Sequence, residues 1–159
     1  MKKITKVALA LLSSALLFSC NEKKSNAKVK IGIAKIVQHV ALDSVEQGVI
    51  DVVKESGIDA EFDAQNANGD VNTANQIALK YKDEGVSVAV GIATPIAVSL
   101  ASTLKDTPIV FGTVTDPVGA GLVLTLEHGE GNVTGMSDAV PTVAHIALFK
   151  KVANIKTLG

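Results

Sequence analysis

The chain has 159 residues, 47% of them hydrophobic, only 3% aromatic and none tryptophan, which is enough for one compact domain and too little for two of ordinary size. Its formal net charge is −1, and a chain without a basic surplus argues against a nucleic-acid partner. All fifteen basic residues are lysines, so bidentate capture of a carboxylate or phosphate by a guanidinium is excluded, and an anion must be held by backbone N–H groups, hydroxyls or Lys.

Met1-Lys2-Lys3 and the apolar run at 4–18 have the charged start and short hydrophobic middle of a secretory signal, and the run is short for spanning a bilayer. It ends in Leu17-Phe18-Ser19-Cys20, with Leu three before the only cysteine and a small residue immediately before it. That pattern resembles a bacterial lipobox. The resemblance implies a signal peptide over 1–19, cleavage before Cys20 and acylation of its sulfur and amino group; a free thiol after an ordinary signal is the alternative. Two or more acyl chains anchor stably where one does not. Without Lys2, Lys3 and Lys6, twelve lysines face sixteen acids, a net −4. The polar stretch at 20–28 reads as a flexible tether, and the folded part is expected to begin near Val29.

Residues 29–36 alternate and then run apolar, the pattern of a first strand. Leu42, Val45, Val49, Val52 and Val53 recur at helical spacing and stop at Ser56-Gly57, where Gly is the usual helix end. At 58–64 the acids Asp59, Glu61 and Asp63 alternate with apolar residues, which marks a half-exposed edge strand. A polar turn at 65–70 leads to a helix at 71–84, with Ala74, Ile77, Ala78 and Tyr81 on one face, closed by Gly85. The stretch at 86–118 then reads as a buried strand (86–92), a turn at Ala93-Thr94-Pro95, a helix (95–104) and a second buried strand (108–114). Near-continuous apolar runs suit a parallel sheet covered on both faces. With short connections and right-handed crossovers, the expected fold is an α/β doubly wound parallel sheet of strand order 2-1-3-4.

Past Pro117 the character changes. A Gly-rich apolar segment at 118–123 and a polar turn at 128–131 precede a brief strand at 132–136, a helix at 142–152 and a strand just begun at 155–159. The expected division is an N-terminal lobe at 29–118 and, at 119–159, a crossover or hinge region with the start of a second lobe. The chain is read as a fragment lacking the rest of that lobe.

In an open α/β sheet, ligands bind in the crevice outside the carboxyl ends of the strands. Thr94-Pro95 fits an N-cap hydroxyl with Pro at the first helical position, and the free N–H groups of Ile96 and Ala97 would then hold a carboxylate. The other reading is that Thr94 only caps its helix. Asp116, past a buried strand, suits pairing with an ammonium or an Asx-Pro turn; Thr113 and Thr115 would point together if Val114 points into the sheet. Gln38 and His39 stand at the end of the first strand, where a lone His is more often a solvated turn residue.

The run at 63–70 matches part of a calcium loop but puts Ala64 and Asn75 at two decisive ligand positions. His39, His128 and His145 lack metal-ligand spacing. Gly119-Ala120-Gly121 lacks the phosphate-loop signature, and no nucleophile has an obvious base, so neither a metal, a cofactor nor catalysis is expected.

The segments IGIAKIVQHVALDSVEQGV, DAQNANGDVNTANQIALKY, GIATPIAV, PIVFGTVTDPVGAGLV and NVTGMSDAVP together resemble the substrate-binding lipoproteins of bacterial ABC importers, of the tryptophan/tyrosine-binding type. The resemblance covers almost all of 29–159. It implies two α/β lobes of the type I periplasmic-binding-protein kind, closing on a small amino-acid-like ligand, with an ABC permease as partner and no catalytic role. It also implies that Gln38, His39, Gln65, Asn66, Thr94, Thr115, Asp116, Ser137 and Asp138 lie near the cleft, the last pair close to the hinge. A sensory ligand-binding lobe and an enzyme on the same scaffold are the rivals, because fold alone does not decide function.

Overall fold

The computed structural model describes residues 28–153 and Thr157. The expected signal peptide, Cys20, the tether up to residue 27 and, apart from Thr157, the strand at 155–159 lie outside the described residues. The elements follow in the order β1 (Val29–Lys35), α1 (Val40–Glu55), β2 (Ala60–Asn66), α2 (Val71–Asp83), β3 (Val88–Ile92), α3 (Thr94–Thr103), β4 (Ile109–Val114), β5 (Val133–Ser137) and α4 (Thr142–Ala153). The strands form one sheet in the order β2-β1-β3-β4-β5, with every neighbouring pair parallel. This is the expected doubly wound α/β fold with a fifth strand added beyond β4.

Each face of the sheet has its own apolar cluster. On one face Ile31, Ile33, Val90 and Ile92 meet Leu42, Val45, Val49, Ile50 and Val53 of α1; four of these are the residues that helical spacing picks out, while Val52, expected among them, is exposed and Ile50 packs instead. On the other, Ala74, Ile77, Ala78 and Tyr81 of α2 and Ile96, Ala97 and Leu100 of α3 pack with Ala89, Ile109, Phe111 and Val114. Two glycines let this second layer close. A Cβ at Gly32 would lie 2.7 Å from the Tyr81 ring, and one at Gly91 would lie 3.0 Å from the Ala97 backbone. Tyr81 itself is fully buried and directs its hydroxyl between two carbonyls, Ile33 O at 2.9 Å and Asp63 O at 2.8 Å. One side chain of α2 thus ties β1 to β2.

Strand boundaries differ from expectation in two places. The second strand starts at Ala60 and continues through Gln65 and Asn66, residues expected in the following turn. The shift follows from pairing: Val29 aligns with Ala60 and Lys35 with Asn66, so β2 is as long as the neighbour it borders. Ile58 is left half exposed beside Gly57, whose φ of +75° ends the helix. The third strand begins at Val88 rather than Val86, because the Val86 N–H turns back to Tyr81 O at 3.2 Å and its side chain enters the core.

Between β4 and β5 the crossover contains no helix. It is held by the buried side chains of Leu122 and Val123 and by Asn132, whose amide donates to Leu104 O at 2.9 Å and Thr107 O at 2.6 Å. Beyond β5, α4 has no buried residue and exposes Val143, Leu148, Phe149 and Val152.

Candidate functional site

Because all five strands run the same way, their carboxyl ends share one border of the sheet. Lys35 aligns with both Asn66 and Ile92, Ile92 with Gly112, and Val114 with Ser137. The expected residues follow from these ends. Gln38 and His39 succeed β1, Gln65 and Asn66 finish β2, Thr94 succeeds β3, Thr115 and Asp116 succeed β4, Ser137 finishes β5 and Asp138 succeeds it. The border is therefore a polar rim on an apolar sheet.

At the β1 and β2 end, three of these residues come together. Gln38, Gln65 and Asn66 line a cavity of about 190 Å³ with Lys35, Glu46 and Ala64. Gln65 is held by its side-chain amide donating to Asp63, and Asn66 Oδ1 accepts from the Asn68 N–H at 2.9 Å. His39 caps α1: its backbone is extended and its Nδ1 accepts from the Ala41 N–H at 3.2 Å.

Thr94 departs from its expected role. The N-cap of α3 is Ala93, with φ 85°, ψ 154° and no side-chain cap, and Thr94 is already helical. The cause is that the Ala93 N–H still bonds β4 through Gly112 O at 2.9 Å, so the chain must turn from strand to helix within one residue. The Ala97 N–H is also not free, because it donates to Ala93 O at 3.1 Å. Pro95 has no N–H, so the Ile96 amide and the half-buried Thr94 are what this helix start offers to a ligand.

Thr113 and Thr115 do not form the paired projection that regular alternation predicts. Thr113 sits at φ +51°, where the pairing of β4 with β5 slips between Phe111 and Val114, the mark of a bulge. Its hydroxyl folds back to Gly112 O at 2.7 Å. Thr115 is exposed, and its carbonyl accepts from the Ser137 hydroxyl at 3.2 Å, joining the ends of β4 and β5. Asp116 caps the turn that follows it instead of closing an Asx turn: its Oδ1 accepts from the Gly119 N–H, three residues on, at 2.8 Å, and its carbonyl accepts from the Ala120 N–H at 2.9 Å. The carboxylate remains exposed at the rim. Ser137 also accepts from the Ala139 N–H at 3.1 Å, and Asp138 is exposed beside it. These two border a second, largely apolar cavity of about 370 Å³ with Val110, Met136 and the α1 residues Val45 and Val49.

Lys35 is the charged residue that sequence reading left inside a strand. Its ammonium lies 2.6 Å from Asp43 and 2.7 Å from Glu46, with the lysine side chain only 13% exposed. The hydrogen bonds that Lys35 donates to these two carboxylates raise its pKa above the ordinary lysine value. A lysine ending an apolar strand, followed by acids three residues apart on the next helix, was the signal for it. Behind the rim, Lys80 pairs with Asp63 and reaches Glu84, which Lys30 also contacts at 2.6 Å. Burial lifts the Asp63 pKa, but hydrogen bonds from Lys80 and Gln65 outweigh it and hold the carboxyl below its usual range. Among the described residues, no group of three or more His, Cys, Asp or Glu is placed to hold a metal ion.

A model of the family described as ABC transporter substrate binding protein matches residues 30–159. A protein of Clostridioides difficile named tyrosine-binding protein is 36% identical over 143 residues, covering 87% of this chain and 40% of that protein. Among solved structures, a conserved domain protein from Vibrio cholerae is 44% identical with a TM-score of 0.77, covering 80% of this chain and 44% of that one. An ABC domain from Streptococcus pneumoniae solved in complex with L-Trp is 36% identical with a TM-score of 0.75, at the same coverage. The chain thus spans less than half the length of each of these relatives.

Proposed function

This chain belongs to the ABC transporter substrate-binding protein family, and we propose that it is the first lobe of an extracytoplasmic, lipid-anchored receptor that delivers an aromatic amino acid to an ABC permease. The family is one of binding proteins rather than enzymes, and the reading involves no covalent chemistry. The observation that carries it is the shared border of five parallel strands, on which hydroxyls, amides and carboxylates gather and which in such sheets is where ligands bind. The ligand class follows from two relatives, one named for tyrosine and one solved with L-Trp.

In this reading residues 29–118 form one wall of the cleft, and 119–159 lead through a hinge into a second lobe of the full-length protein. Closure of the two walls sequesters the solute. The Thr94 hydroxyl and the Ile96 N–H receive the carboxylate, and Asp116 or Asp138 the ammonium. Gln38, His39, Gln65 and Asn66 border the other end of the rim, and the acylated Cys20 tethers the lobe to the membrane through 20–28.

Isothermal titration of the full-length protein with L-Trp, L-Tyr and L-Phe tests the proposal. Saturable one-site binding of at least one of them is expected. Binding of none, with the protein folded by circular dichroism, overturns the reading.

A further inference from the structure

Besides the side chains that face the crevice, the rim needs something to hold them there. The connection at 36–39, which carries Gln38 and His39, crosses from the end of β1 to the start of α1, and its side chains from Val37 onward are exposed. No apolar core anchors that end of it. Its backbone is tied on one side by the Gly69 N–H donating to Ile36 O at 2.7 Å and on the other by the Asp43 N–H donating to His39 O at 2.8 Å.

Spanning the same gap is the Lys35 ammonium, 2.6 Å from Asp43 and 2.7 Å from Glu46. Lys35 is the last residue of β1, and both carboxylates belong to the first half of α1. An ammonium has three donors, and two are taken by these acids. The pair is shielded, with the lysine side chain 13% exposed and Glu46 18% exposed, so solvent screens it less than a surface pair. Lys35 and Glu46 line the cavity of about 190 Å³ that Gln38, Gln65 and Asn66 share.

We infer that Lys35 is a positioning residue of the candidate site: with Asp43 and Glu46 it clips α1 to the end of β1 and so fixes the connection that presents Gln38 and His39 on the rim. The inference rests on the ligand-binding reading for its functional half, while its structural half is measurable without a ligand. Opening the clip leaves Asp43 and Glu46 as like charges one turn apart on α1. The connection then samples conformations in which Gln38 and His39 leave the rim, and apparent affinity falls by the fraction of time they are away.

The test is Lys35→Met in the full-length protein, which keeps the side-chain length and removes the charge. Hydrogen–deuterium exchange is expected to quicken in peptides covering 36–43 and to stay unchanged in β3 and β4. Affinity for whichever of L-Trp, L-Tyr and L-Phe the wild type binds, titrated where wild type and variant are both fully folded, is expected to fall about tenfold, as for a connection in place a tenth of the time. Lys35→Arg restores both. If Lys35→Met fails to fold, Asp43→Asn with Glu46→Gln opens the same clip from the α1 side. Unchanged exchange at 36–43, or quickened exchange with unchanged affinity, overturns the inference. A wild-type protein that binds no aromatic amino acid instead refutes the proposed function, and exchange alone then decides whether the clip exists.

Discussion

Replacing Gly32 by alanine places a methyl against the buried ring of Tyr81. The added Cβ would lie 2.7, 2.8 and 2.9 Å from three ring carbons of Tyr81, where carbon atoms prefer roughly 3.5–4.0 Å, so the ring must withdraw by about 1 Å. It has nowhere to go: Tyr81 is fully buried, and its hydroxyl is aimed at Ile33 O and Asp63 O. Overpacking of this kind costs about 1–3 kcal/mol, and pulling the hydroxyl off its acceptors adds about 0.5–1.5 kcal/mol, for about 1.5–4.5 kcal/mol in all. For a domain of this size each kcal/mol moves Tm by about 3–5 °C. Urea unfolding followed by circular dichroism measures the loss, and emission from the single tyrosine of a chain without tryptophan reports on the displaced ring. The double variant Gly32→Ala/Tyr81→Phe is expected to lose less than the sum of the two single variants, because the hydrogen bond is lost only once. A Gly32→Ala protein within about 0.5 kcal/mol of wild type would refute the close packing of α2 on β1.

Ala93→Gly relieves a backbone at φ 85° and ψ 154°, a region open chiefly to glycine and costly by about 1–3 kcal/mol for other residues. After the greater unfolded-state freedom of glycine is subtracted, a gain of about 1 kcal/mol is expected in urea unfolding. Lys80→Met removes the strongest hydrogen-bond partner of Asp63, whose folded pKa is depressed from 3.8. A depressed carboxyl stabilises the fold fully above its unfolded pKa and loses that contribution as pH falls through its folded value. The variant is therefore expected to be less stable than wild type at pH about 7, with the gap closing as pH falls from the ordinary carboxyl range near pH 4 through the depressed folded pKa; a gap independent of pH would refute the pairing.

Much of the architecture was legible because apolar runs report burial. The stretches that became β3 and β4 are almost wholly apolar; β3 is covered on both faces as that pattern suggests, whereas β4 leaves Val110 exposed on the α1 side, and the alternating acids of β2 announced an edge. What periodicity does not report is backbone angle and pairing partner. Ala93 was invisible as a helix cap because nothing in its side chain signals φ 85°; the requirement comes from its bond to Gly112. The two-residue shift of β2 came from its register with β1, a property of two segments rather than one. Strand-end reasoning found Gln38, Thr94 and Asp116 on a common border, because parallel order alone puts them there. It passed over Lys35, whose partners lie 8 and 11 positions ahead on the next helix, and Asn132, which serves carbonyls 28 and 25 residues away.

The claim that the polar strand ends hold the ligand is tested most directly by titrating the full-length protein and two rim variants with L-Trp. Asp116→Asn keeps an oxygen for the Gly119 N–H and removes only the charge, and Thr94→Val keeps the shape and removes only the hydroxyl. With thermal stability unchanged, Thr94→Val is expected to weaken binding by about tenfold or more, the worth of one hydrogen bond to a charged group, and Asp116→Asn by as much where Asp116 rather than Asp138 takes the ammonium. Affinities equal to wild type in both variants would contradict the account.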